Sequence, residues 1–398
     1  MSIGRGKESS DGTSLLMCTV LHGFNHSFMV ILPPLYLSMQ KEFGYEAIRP
    51  IMLLGSVYLV VYALSTLPFG FIGDRSNKKR ILTFGVALNS AALLWASLTS
   101  SYRLLLLAMV AAGVGGGTYH PVANALMTNR FKGRMGRALG IIGVGASLGL
   151  FSGPLLSGFL GQMYGWRTAC GVFGIVGLVF ALFFAIFMPA DESTYNSKVG
   201  KRRNLGLGRD SIRYLAMAGV VFGLRDFCWW GTQYLTPTFS QQVLDFTKFR
   251  SGLLIGLMSL MGIISQPVGG ILSDRFGRRG LLAAVLIIGG AVILVFPLFS
   301  GAALFLGGML GGAMILATVP IVDALIAEGT IYEIRSRIFA ILMTAGIFMG
   351  SLSPYVMGLI VDYLGDYGLA YRTLGLASWL AALVVLFGIG KLPSRQRS

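Results

Sequence analysis

A charged hairpin between two long apolar runs occurs twice in this chain, as Gly70-Phe-Ile-Gly-Asp74-Arg75-Ser-Asn77-Lys-Lys-Arg80 and as Gly270-Ile-Leu-Ser-Asp274-Arg275-Phe-Gly277-Arg-Arg279. Gly, Asp and the first Arg recur at an offset of two hundred positions in a chain of 398 residues, so the chain is two similar halves. The correspondence runs well past the hairpins. Gly23 matches Gly223, Arg137 matches Arg337, Pro154 matches Pro354 and Gly158 matches Gly358 at the same offset. At an offset one shorter, Pro121-Val-Ala-Asn124-Ala-Leu aligns with Pro320-Ile-Val-Asp323-Ala-Leu.

The medium is set by composition: 55% hydrophobic and only 12% charged residues, with a mean hydropathy of +0.73, describe a membrane protein. A net charge of +16 does not indicate nucleic acid, because the basic residues fall in short runs between apolar stretches of spanning length. No removable signal peptide is expected. The first apolar stretch runs on without a small-residue cleavage site. Cys18, Cys170 and Cys228 lie in apolar stretches without paired spacing, so no disulfide framework is implied.

Twelve spans are predicted, near 14–39, 50–73, 79–99, 103–129, 137–163, 167–189, 211–238, 250–273, 280–299, 301–327, 337–363 and 370–390. Each is long enough to cross a hydrocarbon core of roughly 30 Å as helix. They form an N-terminal six-helix bundle over 1–189 and a C-terminal one over 211–398. The polar, basic stretch 190–210 between them reads as a cytoplasmic linker. Most of the 32 Lys and Arg residues fall on the side that holds the hairpins, the linker and both termini, which makes that side cytoplasmic. Parallel six-helix repeats imply a central pathway, with substrate near the midplane and access alternating as the halves rock.

The repeated Gly-x-x-x-Asp-Arg-x-Gly-Arg-Arg hairpin resembles the conserved cytoplasmic loop of the major facilitator superfamily of secondary transporters, and the resemblance covers essentially the whole chain. The second copy matches fully. The first has Asn77 where the family usually has Gly, and Asn is the other residue that tolerates left-handed backbone geometry. The resemblance implies that Asp74, Arg75, Asp274 and Arg275 latch the cytoplasmic side in the outward-facing state; the alternative is that they only determine topology. In the fifth span, Gly145, Gly149, Gly153-Pro154 and Gly158 make a stripe of small residues with a helix-bending proline. Its Gly-Pro core resembles the antiporter motif of drug-exporting members, which gives Gly153 and Pro154 a gating role. Ordinary close packing is the alternative. Drug/proton antiporters usually carry an Arg one turn before a Gly in the fourth span; here Met109 precedes Gly113, unless Arg103 at the outer end substitutes.

Ionisable and polar groups deep in spans are costly and mark a pathway. His22, Asn25 and His26 share one face of the first span. Arg225 and Asp226 occupy the positions equivalent by repeat to Asn25 and His26, followed by Trp229, Trp230, Gln233 and Tyr234 as an aromatic wall with polar tips. Arg225 is the leading substrate contact, a permanently charged fork suited to carboxylate or phosphonate. Neighbours on a helix point about 100° apart, so Arg225 and Asp226 are not expected to pair with each other. His22 and His26 titrate near neutrality and are candidates for the coupling proton. Their HxxxH spacing also permits two metal ligands, with Asp226 or Cys228 completing a set, but two ligands do not define a site and no metal is assigned.

Thr118-Tyr119-His120-Pro121 with His22-Gly-Phe-Asn25 resembles the fosmidomycin-resistance-like branch of the superfamily, which places Tyr119 and His120 among the substrate or coupling residues. That resemblance departs at His26, where Asp is usual. Asp323 is a secondary coupling candidate, and with Glu328 it is expected to meet Arg335 or Arg337 in a gate or a capping salt bridge. No enzyme motif is present: Gly113 to Gly117 lacks a Lys-Ser/Thr pair and lies in a span. With no ATP-binding domain and no cofactor, energy comes from gradients. The reading is an all-α, twelve-helix, monomeric exporter of a small organic solute in a bacterial or archaeal cytoplasmic membrane, driven by protons, with lipid and solute as its partners and no nucleic acid. The alternatives are a proton-coupled symporter or uniporter for an organic anion, a divalent metal transporter, and a non-transporting sensor.

Overall fold

The protein is described by a computed structural model covering residues 2–131, 134–190, 208–330 and 335–389. Among these residues every regular element is helical and no strand occurs, as a hydrocarbon medium demands of backbone that must bond internally. The helices are α1 (Ser2–Val30), α2 (Tyr36–Glu42), α3 (Arg49–Arg75), α4 (Lys78–Leu98), α5 (Tyr102–Gly117), α6 (Tyr119–Arg130), α7 (Met135–Tyr164) and α8 (Trp166–Phe187). They continue as α9 (Arg209–Gln242), α10 (Lys248–Leu260), α11 (Gly262–Phe276), α12 (Arg278–Val295), α13 (Gly301–Glu328), α14 (Arg335–Ser351), α15 (Ser353–Leu364) and α16 (Tyr367–Leu383). Several expected spans are two helices separated by a break. Pro121, for instance, has no N–H for the Gly117 carbonyl, and the fourth span breaks at Thr118 between α5 and α6.

Eleven helical segments among the described residues are long and apolar enough to cross a membrane. They coincide with eleven of the twelve expected spans. The remaining one, the seventh, falls on α9, which is 34 residues long but carries Arg209, Asp210, Arg213, Arg225 and Asp226, which lower its hydropathy. The linker expected at 190–210 lies almost wholly outside the described residues, as do the side chains of Asp74, Arg335 and Arg337.

The chain forms two compact units: Met1–Tyr45 with Val57–Gly200 and Phe246–Leu253, and Glu46–Ser56 with Lys201–Asp245 and Leu254–Ser398. Helices pair alike in both. In the first unit α1 packs on α7, and α4 on α5 and α8; in the second α9 packs on α14, and α12 on α13 and α16. The short segments 46–56 and 246–253 are repeat equivalents that begin the second span of each half. Within the second unit, the Ile48 and Arg49 amides at the start of α3 donate to the Asp362 carboxylate at 2.7 and 2.8 Å, where an acidic group suits free N–H groups. Within the first, the Phe249 amide donates to Gln162 Oε1 at 3.3 Å.

The two hairpins turn by different means. Gly277 has φ +89°, which Gly adopts without steric cost. Asn77 is not left-handed, contrary to expectation: its φ is −66°, and its Oδ1 accepts the Arg80 amide at 3.1 Å. It replaces the missing Gly as an N-cap for α4.

The fifth-span stripe packs directly on α1. A Cβ at Gly145 or at Gly149 would lie 2.1 Å from the carbonyl oxygen of Thr19 or of Gly23, and one at Gly153 would lie 2.9 Å from that of Ser27. Both sides of this seam step by four residues, so small side chains let the backbones touch. Gly149→Ala is therefore expected to lower stability by about 1–3 kcal/mol, whereas Gly140→Ala, with nothing within 4 Å of its Cβ position, leaves stability unchanged or slightly raised. Thermal unfolding of the two variants in detergent checks the contrast.

Candidate functional site

The polar residues predicted for the pathway form one cluster in each unit. In the second unit α9 buries Arg225, Asp226, Trp229, Gln233 and Tyr234. Arg225 Nη1 lies 3.1 Å from Asp226 Oδ1, so the neighbours do pair. The expectation from helix geometry fails because the three methylenes of Arg let the guanidinium curl back across the gap between adjacent Cβ directions. The guanidinium also lies 4.5 Å from the centre of the Phe222 ring, a cation–π contact in a dry setting. From α14, Gly350 brings its backbone against the acid, since a Cβ there would lie 2.7 Å from Asp226 Cβ.

This pair is incompletely satisfied. Arg225 Nε has no partner. One turn pair further along, Gln233 Nε2 donates to Ser259 Oγ at 3.1 Å, while Gln233 Oε1 is left without one. Trp230 and Tyr234 meet edge to face at 6.3 Å. Asp323 on α13 is half-buried and within electrostatic reach of Arg225 and Asp226. Its companion Glu328 pairs with Arg278; the side chains of Arg335 and Arg337, the partners expected from sequence, lie outside the described residues.

In the first unit His22, Asn25 and Tyr119 are buried and His26 and His120 half-buried. His22 Nδ1 donates to the Ile142 carbonyl of α7 at 2.9 Å, and its ring stacks on Tyr119 at 4.6 Å. Tyr119 donates its hydroxyl to the Cys18 carbonyl at 2.9 Å. His120 closes on both α1 histidines, with ring centres 5.2 Å from His22 and 5.5 Å from His26. The third member of the HxxxH cluster is thus His120; Asp226 and Cys228 belong to the other unit. Asn25 donates to the Tyr62 hydroxyl at 3.2 Å.

Sequence reasoning missed Tyr58, Tyr62 and Asn89. Asn89 donates to the Tyr58 hydroxyl at 3.1 Å, and Asn25, Asn89 and Tyr119 line one small cavity. The signal was available: Tyr58 and Tyr62 stand one turn apart on one face of α3, and Asn89 sits deep in an apolar run. Met109 is buried and Arg103 exposed at the start of α5, so Arg103 does not supply the missing buried cation.

Of the gating candidates, Arg75, Asp274 and Arg275 are exposed. Asp274 pairs with Arg278 at 2.9 Å, and Arg278 also binds Glu328 and, at 3.2 Å, Ser273 Oγ. This ties the second hairpin to the end of α13. Arg275 lies beside the Phe276 ring. Gly153 lies on the seam with α1, where it faces Ser27, while the Pro154 carbonyl lies against Gly252 of α10.

A family model described as Major Facilitator Superfamily matches residues 15–330. The chain is 26% identical over 384 residues to the multidrug resistance protein MdtG of Serratia proteamaculans, covering 91% of this chain and 88% of that one. It is 25% identical to the multi-drug resistance efflux pump PmrA of Streptococcus pneumoniae, covering 80% and 81%. A putative metabolite transport protein of Haemophilus influenzae is 26% identical over 74% and 75%. The fold is similar to that of a bacterial homolog of the human lysosomal transporter Spinster in an inward-facing and occupied conformation, with a TM-score of 0.76, 17% identity, and 96% and 97% of the chains covered.

Breaking the Arg225–Asp226 pair from one side leaves a buried charge uncompensated. Arg225→Met alone is expected to cost about 3–5 kcal/mol, and the double variant with Asp226→Asn markedly less. Thermal unfolding of both variants measures this. Equal losses would assign the cost to packing.

Proposed function

The chain belongs to the major facilitator superfamily, and from that premise we propose that it is a proton-coupled exporter of small organic solutes, working by alternating access between its two repeats. Twelve spans with both termini in the cytoplasm of a bacterial cell, α9 being the seventh, complete the proposed topology. The observation that carries the reading is the buried Arg225–Asp226 pair, with Arg225 Nε and the nearby Gln233 Oε1 unsatisfied. A pair that served stability alone would be bonded throughout, because an unmet polar group in a low-dielectric interior costs about 1–3 kcal/mol. A passing solute supplies the absent partners. Export as the direction is supported by the Gly153-Pro154 element and by relatives whose names record multidrug resistance and efflux.

Coupling falls to Asp226 with Asp323. Asp226 pairs with the Arg225 guanidinium and Asp323 is within its electrostatic reach, so a proton on either acid changes how much of the cation's charge is left for a solute. Asp74, Arg75, Asp274 and Arg275 are the proposed cytoplasmic latch. A second reading, import of an organic anion, rests on the free Arg225 Nε and differs only in direction.

Reconstitution into liposomes with an imposed pH gradient and a panel of anionic, neutral and cationic drugs tests this. At least one solute is expected to move against its own gradient when, and only when, the proton gradient is present; if none moves, the exporter reading is lost. Arg225→Lys keeps the charge and loses the fork. It is expected to slow transport of an anionic solute by about tenfold or more, a loss on the scale of one charge-assisted hydrogen bond.

A further inference from the structure

The chain has three histidines in all, and the fold brings all three together. His22 and His26 lie one turn apart on α1, and His120 is the second residue of α6, just past the break at Thr118. One ring nitrogen from each lies within 4.8 Å of the other two. The rings of each pair are steeply inclined, at 62° for His22 and His26, 89° for His22 and His120, and 72° for His26 and His120. Edges therefore converge where three stacked rings would have presented faces. The partner of His22 also fixes its tautomer. A carbonyl only accepts, so Nδ1 carries the proton given to Ile142 and Nε2 holds a lone pair. That Nε2 has no hydrogen-bond partner on a residue only 7% exposed, and His26 Nδ1 is likewise buried without one.

Two unmet nitrogens in one cluster are hard to explain as packing, since each forfeits a bond that a Leu or Phe in its place would never need. We propose that His22, His26 and His120 form a binding site for a divalent transition-metal ion of the Zn2+, Co2+ and Ni2+ class. Imidazoles suit this class, and His22 already has the outer hydrogen bond that orients metal-binding histidines. Ligand nitrogens around a tetrahedral ion at 2.0–2.1 Å stand about 3.4 Å apart, so small rotations of the rings close the cluster from its present spread. Three neutral ligands leave the ion's double charge intact and a fourth position for water or for an anionic donor of a solute. Open sites of this kind exchange their fourth ligand. The proposal concerns binding, and it does not depend on which solute the protein moves.

The full-length protein, purified in detergent without a histidine tag, is titrated with CoCl2. One equivalent is expected to bind and to give the intense visible bands of four-coordinate Co2+, which Zn2+ then abolishes; Zn2+ is also expected to raise the unfolding temperature. His26→Gln and His120→Gln, each of similar size to the original, are expected to weaken Co2+ binding at least tenfold and to lose the Zn2+-dependent shift. Absence of a one-to-one complex with the unaltered protein overturns the proposal, as do the weak bands of a six-coordinate aquo ion or unchanged affinity in a folded variant. Should His120→Gln fail to fold, the spectrum of the unaltered protein and the His26→Gln titration decide. No transport is measured, so failure here leaves the exporter reading standing, and failure in liposomes leaves this one.

Discussion

A polar group inside a membrane span has only protein to bond to, and this constraint orders the whole structure. Helix formation meets it for the backbone. Most hydroxyls in the spans meet it locally by donating to carbonyls one turn back, as Thr232 does to Cys228, Thr236 to Thr232 and Ser259 to Ile255. Against that background the groups left unmet are conspicuous. Arg225 Nε and Gln233 Oε1 lie on α9, and His22 Nε2 and His26 Nδ1 lie on α1. These are the first spans of the two halves; the other unmet atoms include Asn89 Oδ1, Ser265 Oγ and Thr344 Oγ1, on α4, α11 and α14.

Packing sets the chemistry of the α1 cluster. The glycines of α7 bring its backbone onto Thr19 and Gly23, which places the Ile142 carbonyl, one turn before Gly145, within reach of His22 Nδ1. A bulkier stripe would hold the helices apart, and the ring would lose both its hydrogen bond and its fixed tautomer. The small residues that resemble an antiporter motif thus have a local structural consequence, apart from any part they have in gating.

The two-half architecture and eleven of the spans were legible because hydropathy and an internal repeat report on them directly, with no need of side-chain detail. The content of the clusters was legible as well: His22, His26, Arg225 and Asp226 stand out in an apolar run. Their partners were not. Pairing of Arg225 with Asp226 depends on the reach of a flexible side chain, which Cβ directions do not describe. The Arg278–Glu328 bond joins residues whose helices meet only in the fold. Asn77 was recognised as the substitute for a glycine, but for the wrong property: its side-chain oxygen caps α4, and its backbone stays on the ordinary side of φ. His120 was flagged by a motif, yet its approach to the α1 histidines is a matter of how α6 packs on α1, on which the motif does not report.

The repeat makes the difference between the clusters informative. Asn25-His26 and Arg225-Asp226 occupy equivalent positions on helices that pack alike, α1 on α7 and α9 on α14, so local backbone geometry does not account for their divergence. One half presents three imidazoles, neutral donors of lone pairs; the other presents a guanidinium held by a carboxylate. Neutral lone pairs attract a cation without neutralising it, and a guanidinium attracts an anion without needing a proton. Had one solute of one charge been the only demand on both halves, either chemistry repeated twice would have served. On the proposed readings of the two clusters, keeping one of each gives the protein two recognition chemistries of opposite preference, one per unit, on a single duplicated scaffold.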